Sequence, residues 1–313
     1  MFRSGEADVP ASVDPCDDPA RNVSIRGPVG PARRCRGCGR HHGRVSVRSS
    51  DHSELLPSDT DDWEPVTGGE SGASVFVDRG RRRFAKIVSS ERLTELAAER
   101  DRSAWLSRTG APCAGVLGWR ESAAGACLVT QAVAGVPASD LDAAALRRAW
   151  PSIVRMVRGL HDLDVAGCPF DRGLEYMMSL AEATVDEGRV VVEFLPEALQ
   201  RTPPPQILEQ IRAERPTRLA EERADLVVVH GDLCLPNILV DPGTGEVQGL
   251  IDLGRLGTAD PYGDIALLIA TARGTWPDAP TARRAEDEFA DIYGAALDPE
   301  RLDFYLRLDP LTW

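Results

Sequence analysis

Leu226-Val227-Val228-Val229-His230-Gly231-Asp232-Leu233-Cys234-Leu235-Pro236-Asn237 runs into Ile238-Leu239-Val240, turns at Asp241-Pro242-Gly243-Thr244-Gly245, and returns through Val247 to Ile251 and Asp252-Leu253-Gly254. Three short apolar runs bounded by turn residues spell a strand, a loop and a hairpin. The loop presents Asp232 and Asn237 at one strand end, and the hairpin brings Asp252 back beside them. Two carboxylates and an amide oxygen converging there offer hard ligands for Mg²⁺ and one carboxylate free to meet a hydroxyl. A single aspartate in a loop is often only a turn former or a helix cap. The three together point to chemistry rather than to turn formation.

Outward from this stretch the texture is helical. Leu146, Ile153, Val157 and Leu160 recur at helical spacing through 141–164, and further helices are expected at 173–187, 205–223, 260–273 and after Thr281. The polar, proline-bearing stretch 187–205 reads as a surface loop. Upstream the period shortens. Trp63 to Val66, Ala73 to Val77 and Arg83 to Val88 read as three strands of an antiparallel meander, with a glycine-rich turn at Gly68-Gly69-Glu70-Ser71-Gly72. Ser89 or Ser90 can cap a helix from Glu91 to Thr109 that stops at Gly110, and another strand pair is expected between Gly115 and Val133. The fold class is therefore α+β, with a small antiparallel β-rich lobe over 52–134 ahead of a larger, mostly α-helical lobe over 135–313.

Residues 1–51 form a separate, basic extension. They are rich in Pro, Gly, Arg and Ser, lack a hydrophobic period, and are expected to be disordered. Cys35, Cys38, His41 and His42 within them have zinc-like spacing but no second half-site or apolar surround. The seven cysteines are an odd number in a chain with no export signal, so free thiols and a cytoplasmic setting are expected. Net charge is −13 overall and −17 over residues 51–313, which argues against nucleic acid as a partner of the folded body. No apolar run is long enough to imply a membrane span, and a monomer is expected.

Of 36 Lys and Arg residues, one is lysine: Lys86, on the third expected strand. Arginine does not substitute for a compact ammonium, so its survival in an arginine-biased chain draws attention.

The strings His230-Gly231-Asp232 with Asn237, and Asp252-Leu253-Gly254, resemble the catalytic loop and metal-binding motif of the protein-kinase-like two-lobe fold. They are closer still to the aminoglycoside phosphotransferases. Gly68 to Gly72, Ala85-Lys86-Ile87, Gly125 to Val129, Gly135-Val136-Pro137, Cys168-Pro169-Phe170 and Phe304 to Trp313 resemble the streptomycin 3''-phosphotransferases within that family, over about residues 52–313. The resemblance implies transfer of the γ-phosphate of ATP to the 3''-hydroxyl of streptomycin. It implies that Asp232 meets that hydroxyl, that Asn237 and Asp252 hold Mg²⁺, and that Lys86 contacts the phosphates of ATP while a glutamate on the following helix holds it in place. Glu99 is favoured for that partner, with Glu95 one turn earlier as rival. Ser71 and Gly72 would lie over the phosphates and Gln131 to Val133 along the adenine, while Arg255, Asp309 and Trp313 are candidates for the acceptor side. Another aminoglycoside or an amino alcohol such as choline is the alternative acceptor, and an inactive nucleotide-binding module is the remaining reading. Deleting residues 1–50 should leave phosphotransferase activity unchanged in a steady-state assay; a large loss of folded protein would assign that segment to the core.

Overall fold

The computed structural model of the protein describes residues 53–57, 62–66 and 72–313. Cys35, Cys38, His41, His42 and the turn residues Gly68 to Ser71 lie outside the described residues. The first lobe is a five-stranded antiparallel sheet flanked by one helix. It contains β1 (Trp63–Val66), β2 (Ser74–Asp78), β3 (Arg83–Ser89), the helix α1 (Leu93–Thr109), β4 (Val116–Ser122) and β5 (Gly125–Gln131), in the sheet order β1-β2-β3-β5-β4. Lys86 sits on the central strand, opposite Val75 on one side and Leu128 on the other. Its neighbours Ala85 and Ile87 are buried on the opposite face, as the two-residue period of a strand requires.

The expected helix at 91–109 begins later. Residues Ser90–Arg92 form a 3-10 turn, and Ser89 precedes that turn without a capping side-chain bond, so the α-helix starts at Leu93. Its stop is as read: Gly110 takes φ +84°, a left-handed C-cap that costs glycine little.

The second lobe follows β6 (Val136–Pro137). It contains α2 (Ala143–His161), α3 (Leu174–Asp186), α4 (Pro204–Asp225), β7 (Val227–Val229), β8 (Ile238–Val240), β9 (Val247–Leu250), β10 (Gly257–Ala259), α5 (Tyr262–Arg273), α6 (Ala279–Tyr293) and α7 (Pro299–Leu308). Asp142 caps α2 by accepting from Ala145 N. The apolar stripe of α2, Leu146, Trp150, Ile153, Val157 and Leu160, is essentially fully buried. Trp150 closes it against α6, donating to Ala285 O at 2.8 Å. β7 pairs with β10, while β8 and β9 form the expected hairpin with β6 on its edge, so the segments before and after the Asp232 loop belong to different small sheets. The loop before β4 docks on the hairpin, with Leu250 N donating to Pro112 O and Ala114 N to Leu250 O, both at 3.0 Å. Among the described residues no helix is long and apolar enough to cross a membrane.

One buried ion pair ties the C-terminal helix to this frame. Asp260 is fully buried, and Arg301 of α7 reaches it at 2.6 Å, reaches Asp225 at 2.8 Å, and lies over the Tyr262 ring. Burial raises the Asp260 carboxyl and Arg301 opposes that rise. Arg301→Met strands a buried carboxylate and should lower stability by about 3–5 kcal/mol, read from urea unfolding. A change under about 1 kcal/mol would show that the pair is dispensable.

Candidate active site

Asp264, fully buried in the first turn of α5, sets the catalytic loop. Its two carboxylate oxygens accept from His230 N at 2.7 Å and Gly231 N at 2.8 Å. His161 stands behind it, 3.3 Å from Asp264 through Nε2 and 2.8 Å from Tyr293 Oη through Nδ1. The His230 ring is tied up in the backbone: Nδ1 accepts from Asp232 N, which leaves Nε2 to donate to Ile251 O at 3.0 Å. His230 therefore braces Asp232 against the strand end that carries Asp252, and neither ring nitrogen is left for a substrate proton. Gly231 has φ +81°, and a Cβ there would stand 2.2 Å from Arg255 O. No side chain fits between the catalytic loop and the turn after Asp252.

Asp232, Asn237 and Asp252 come together as expected from the loop and hairpin. Asn237 Nδ2 donates to Asp232 O at 2.9 Å and lies 3.4 Å from Asp232 Oδ2, so the amide oxygen is the free end. Asp252 takes the left-handed conformation, φ +59°, strained for a side-chain-bearing residue and concentrated at functional turns. Lys86 Nζ spans the cleft between Glu99 Oε2 at 2.7 Å and Asp252 Oδ1 at 3.1 Å. Glu95, the rival, is turned to the surface and paired with Arg92. Burial alone would lower the Lys86 pKa, but Asp252 and Glu99 hold it well above its ordinary value. Burial raises Glu99 despite Lys86, whereas Lys86 outweighs burial at Asp252 and holds its carboxyl low. Of the two partners, Asp252 is the one open to the cleft, its side chain 44% exposed against 13% for Glu99.

Helix α1 is fixed to the second lobe beside this pair. Arg102 Nε donates to Leu256 O at 2.7 Å, and Trp105 Nε1 to Gly167 O at 2.9 Å. Trp105 and Arg102 both pack on Phe170, which gives the Cys168-Pro169-Phe170 motif its place.

Burial pushes the Asp232 carboxyl up to about 6, against the Arg255 guanidinium and with the help of Asp309. Cys234 is no nucleophile: burial and the neighbouring Asp232 charge keep its thiol protonated. Arg255 lies 3.5 Å from Asp309 and over the ring of Trp313, whose Nε1 donates to the other Asp309 oxygen at 3.2 Å. The three acceptor-side candidates thus form one connected group, in which Asp309 is 7% exposed and Trp313 37%. Phe194, missed in the sequence because it lies in the stretch read as a surface loop, packs on Trp313 with ring centroids 4.7 Å apart. Nothing local to Phe194 signals a partner 119 positions downstream.

The connecting segment is more selective than expected. The N–H groups of Gln131 and Ala132 are spent on Gly115 O and Arg82 O, both at 2.8 Å. Among the described residues the Val133 N–H has no protein partner, so it is the amide in this segment able to meet a base edge. Gly72, two residues ahead of β2, has φ +64°, while Ser71 is outside the described residues. Among the described residues no cluster of three or more His, Cys, Asp or Glu side chains could hold a metal. A free amide oxygen on Asn237 and an ionised Asp252 still fit Mg²⁺, which characteristically takes few protein ligands and completes its shell with water and substrate phosphate.

Residues 62–305 match the sequence model of the phosphotransferase enzyme family. The chain belongs to that family. It is 53% identical over 252 residues to the streptomycin 3''-kinase of Streptomyces griseus, covering 80% of this chain and 93% of the relative. It is 36% identical to an aminoglycoside 3'-phosphotransferase of Streptomyces fradiae, covering 79% and 94%. The solved structure of aminoglycoside phosphotransferase APH(3'')-Id from Streptomyces rimosus in complex with ADP and streptomycin superposes with a TM-score of 0.79 at 50% identity, over 83% of this chain and 97% of that one. The two-lobe kinase-like fold and an ATP-dependent phosphotransferase activity follow from this membership.

Lys86→Arg keeps the charge but replaces a compact ammonium with a planar fork between Glu99 and Asp252. Steady-state kinetics should show the ATP KM raised, or kcat lowered, by roughly tenfold. Wild-type constants in that variant would remove Lys86 from nucleotide binding.

Proposed function

We propose that this phosphotransferase moves the γ-phosphoryl group of ATP to the 3''-hydroxyl of streptomycin and so inactivates the antibiotic. The observation that carries the choice of acceptor is the 53% identity to a streptomycin 3''-kinase over 93% of that enzyme's length, against 36% to a relative named for the 3' position. The geometry supports the chemistry. Asp232 is held by His230 and Asn237 at the strand end facing the Lys86 side of the cleft, and its carboxylate is the group able to take the hydroxyl proton as the new P–O bond forms. Lys86, steadied by Glu99, leaves Asp252 to contact the α- and β-phosphates, and the Val133 amide reads the adenine edge. Asn237 Oδ1 and Asp252 would hold Mg²⁺, which supplies neutralisation of phosphate charge.

Transfer is direct and in line, without a covalent enzyme intermediate, so positioning and charge placement provide the rate enhancement. Arg255 sits between Asp232 and Asp309, close enough to influence the charge that passes from ATP to the acceptor. Phe194, Trp313 and Asp309 form the wall on the acceptor side, an aromatic and anionic surface suited to a cationic, guanidinium-bearing molecule.

ADP release measured with ATP, Mg²⁺ and streptomycin is expected to rise strongly on adding the antibiotic. In Asp232→Ala that stimulation should fall by about three orders of magnitude while ATP binding persists. Release driven by a 3'-type aminoglycoside or by choline, with none for streptomycin, would reassign the acceptor.

A further inference from the structure

Four arginines among the described residues are buried: Arg172, Arg218, Arg301 and Arg307. Three of them are neutralised in the usual way, each pairing with at least two carboxylates. Arg172 is the exception. It is 4% exposed, its Nε has no hydrogen-bond partner, a feature it shares with Arg218 and Arg301, and unlike theirs its one side-chain bond runs to a neutral group, from Nη2 to the hydroxyl of Thr312 at 3.3 Å. A buried cation without a paired acid is costly, so its place in the fold calls for a reason.

Its backbone is fixed. Arg172 N donates to Thr258 O at 3.1 Å, and the chain passes so close to β10 that a Cβ on Gly257 would lie 3.0 Å from Arg172 Cβ. From there the side chain enters the lobe behind the catalytic loop. The charged groups nearest it are Arg255, Asp309 and Asp232, a second guanidinium and two carboxylates that belong to the site or its rim, with the phenol of Tyr176 of α3 beside them. A cavity of about 10 Å³ touches Arg172, Gly231, Tyr305 and Asp309. Tyr305 Oη makes no hydrogen bond of ordinary geometry, although the Asp260 carboxylate lies close to it. A space of that size with two polar groups on its wall suits a single water.

Thr312 passes the contact onward. Its hydroxyl accepts from Arg172 and donates to Asp309 O at 2.9 Å, and Thr312 N donates to the same oxygen. Asp309 in turn holds Arg255 with one carboxylate oxygen and Trp313 with the other. We propose that Arg172 is a positioning residue for the acceptor side: from behind the catalytic loop it anchors the C-terminal turn through Thr312 and thereby sets Asp309, Arg255 and Trp313 beside Asp232. The proposal rests on the acceptor occupying that side, as in the function proposed above.

Two readouts test it, one independent of any acceptor. Carboxypeptidase digestion followed by mass spectrometry should release Trp313 and Thr312 roughly tenfold faster from Arg172→Met than from wild type. Thr312→Val, which keeps the side-chain volume, should fray in the same way, and the double variant should be no worse than Arg172→Met alone. In kinetics, both single variants should raise the streptomycin KM by roughly tenfold and leave the ATP KM within about twofold. Arg172→Lys should restore most of both, because a single monodentate bond and a charge are all that must be replaced. Wild-type digestion rates and acceptor KM in Thr312→Val would overturn the proposal, as would equal damage to both KM values in Arg172→Met without rescue by lysine. If wild type shows no turnover with streptomycin, the acceptor reading fails while the digestion experiment still decides the role of Arg172.

Discussion

The site depends on one fully buried carboxylate. Asp264 accepts the consecutive N–H groups of His230 and Gly231, and those two bonds decide where the next residue, Asp232, can stand. A loop between two strands from different sheets would otherwise carry unpaired amides and sample many conformations. Fixing two successive amides to one rigid group removes that freedom at the point where a fraction of an ångström matters for transfer. The close approach of Arg255 O to Gly231 extends the constraint: the catalytic loop and the turn after Asp252 are in backbone contact, so a shift in one moves the other.

Around this rigid point the charges alternate. Glu99, Lys86 and Asp252 form one row across the cleft, while Asp232, Arg255 and Asp309 form another towards the C-terminus. Each row ends in a carboxylate and has a cation in the middle. That pattern lets a site for a highly anionic nucleotide exist in its absence without exposing a large field of one sign. It also explains why neighbouring carboxylates behave differently: the Lys86 ammonium keeps Asp252 ionised, whereas Asp232 has a more distant cation and feels burial more.

Much of this was legible in the chain. The hairpin geometry follows from turn residues between β-branched runs, and the position of Lys86 on the third strand follows from counting strands. Spacing favours Glu99 over Glu95 without excluding the latter, since both lie on the helix after that strand; what settles it is which side of α1 faces β3, a tertiary fact. Ser89 reads as a helix cap by residue type, but a 3-10 turn intervenes and its side chain makes no cap bond. Val133 could not be told from Gln131 as the amide left for a base, since that depends on partners at Gly115 and Arg82. Phe194 and Arg172 were invisible for the same reason: each makes its contact with Thr312 or Trp313, far along the chain, and neither sits in a local pattern that announces it.

The solitary lysine has a further consequence. With one ε-amine in 313 residues, 19% exposed and held between two carboxylates in the nucleotide cleft, the protein offers amine chemistry a single lysine. Acylating or cross-linking reagents that decorate most proteins at many points would find here only the chain's own α-amino group and the cleft. Lys86 is shielded there by its protonation until whatever displaces Asp252 changes its company. The protein thus carries a built-in single-site reporter on the state of its nucleotide cleft.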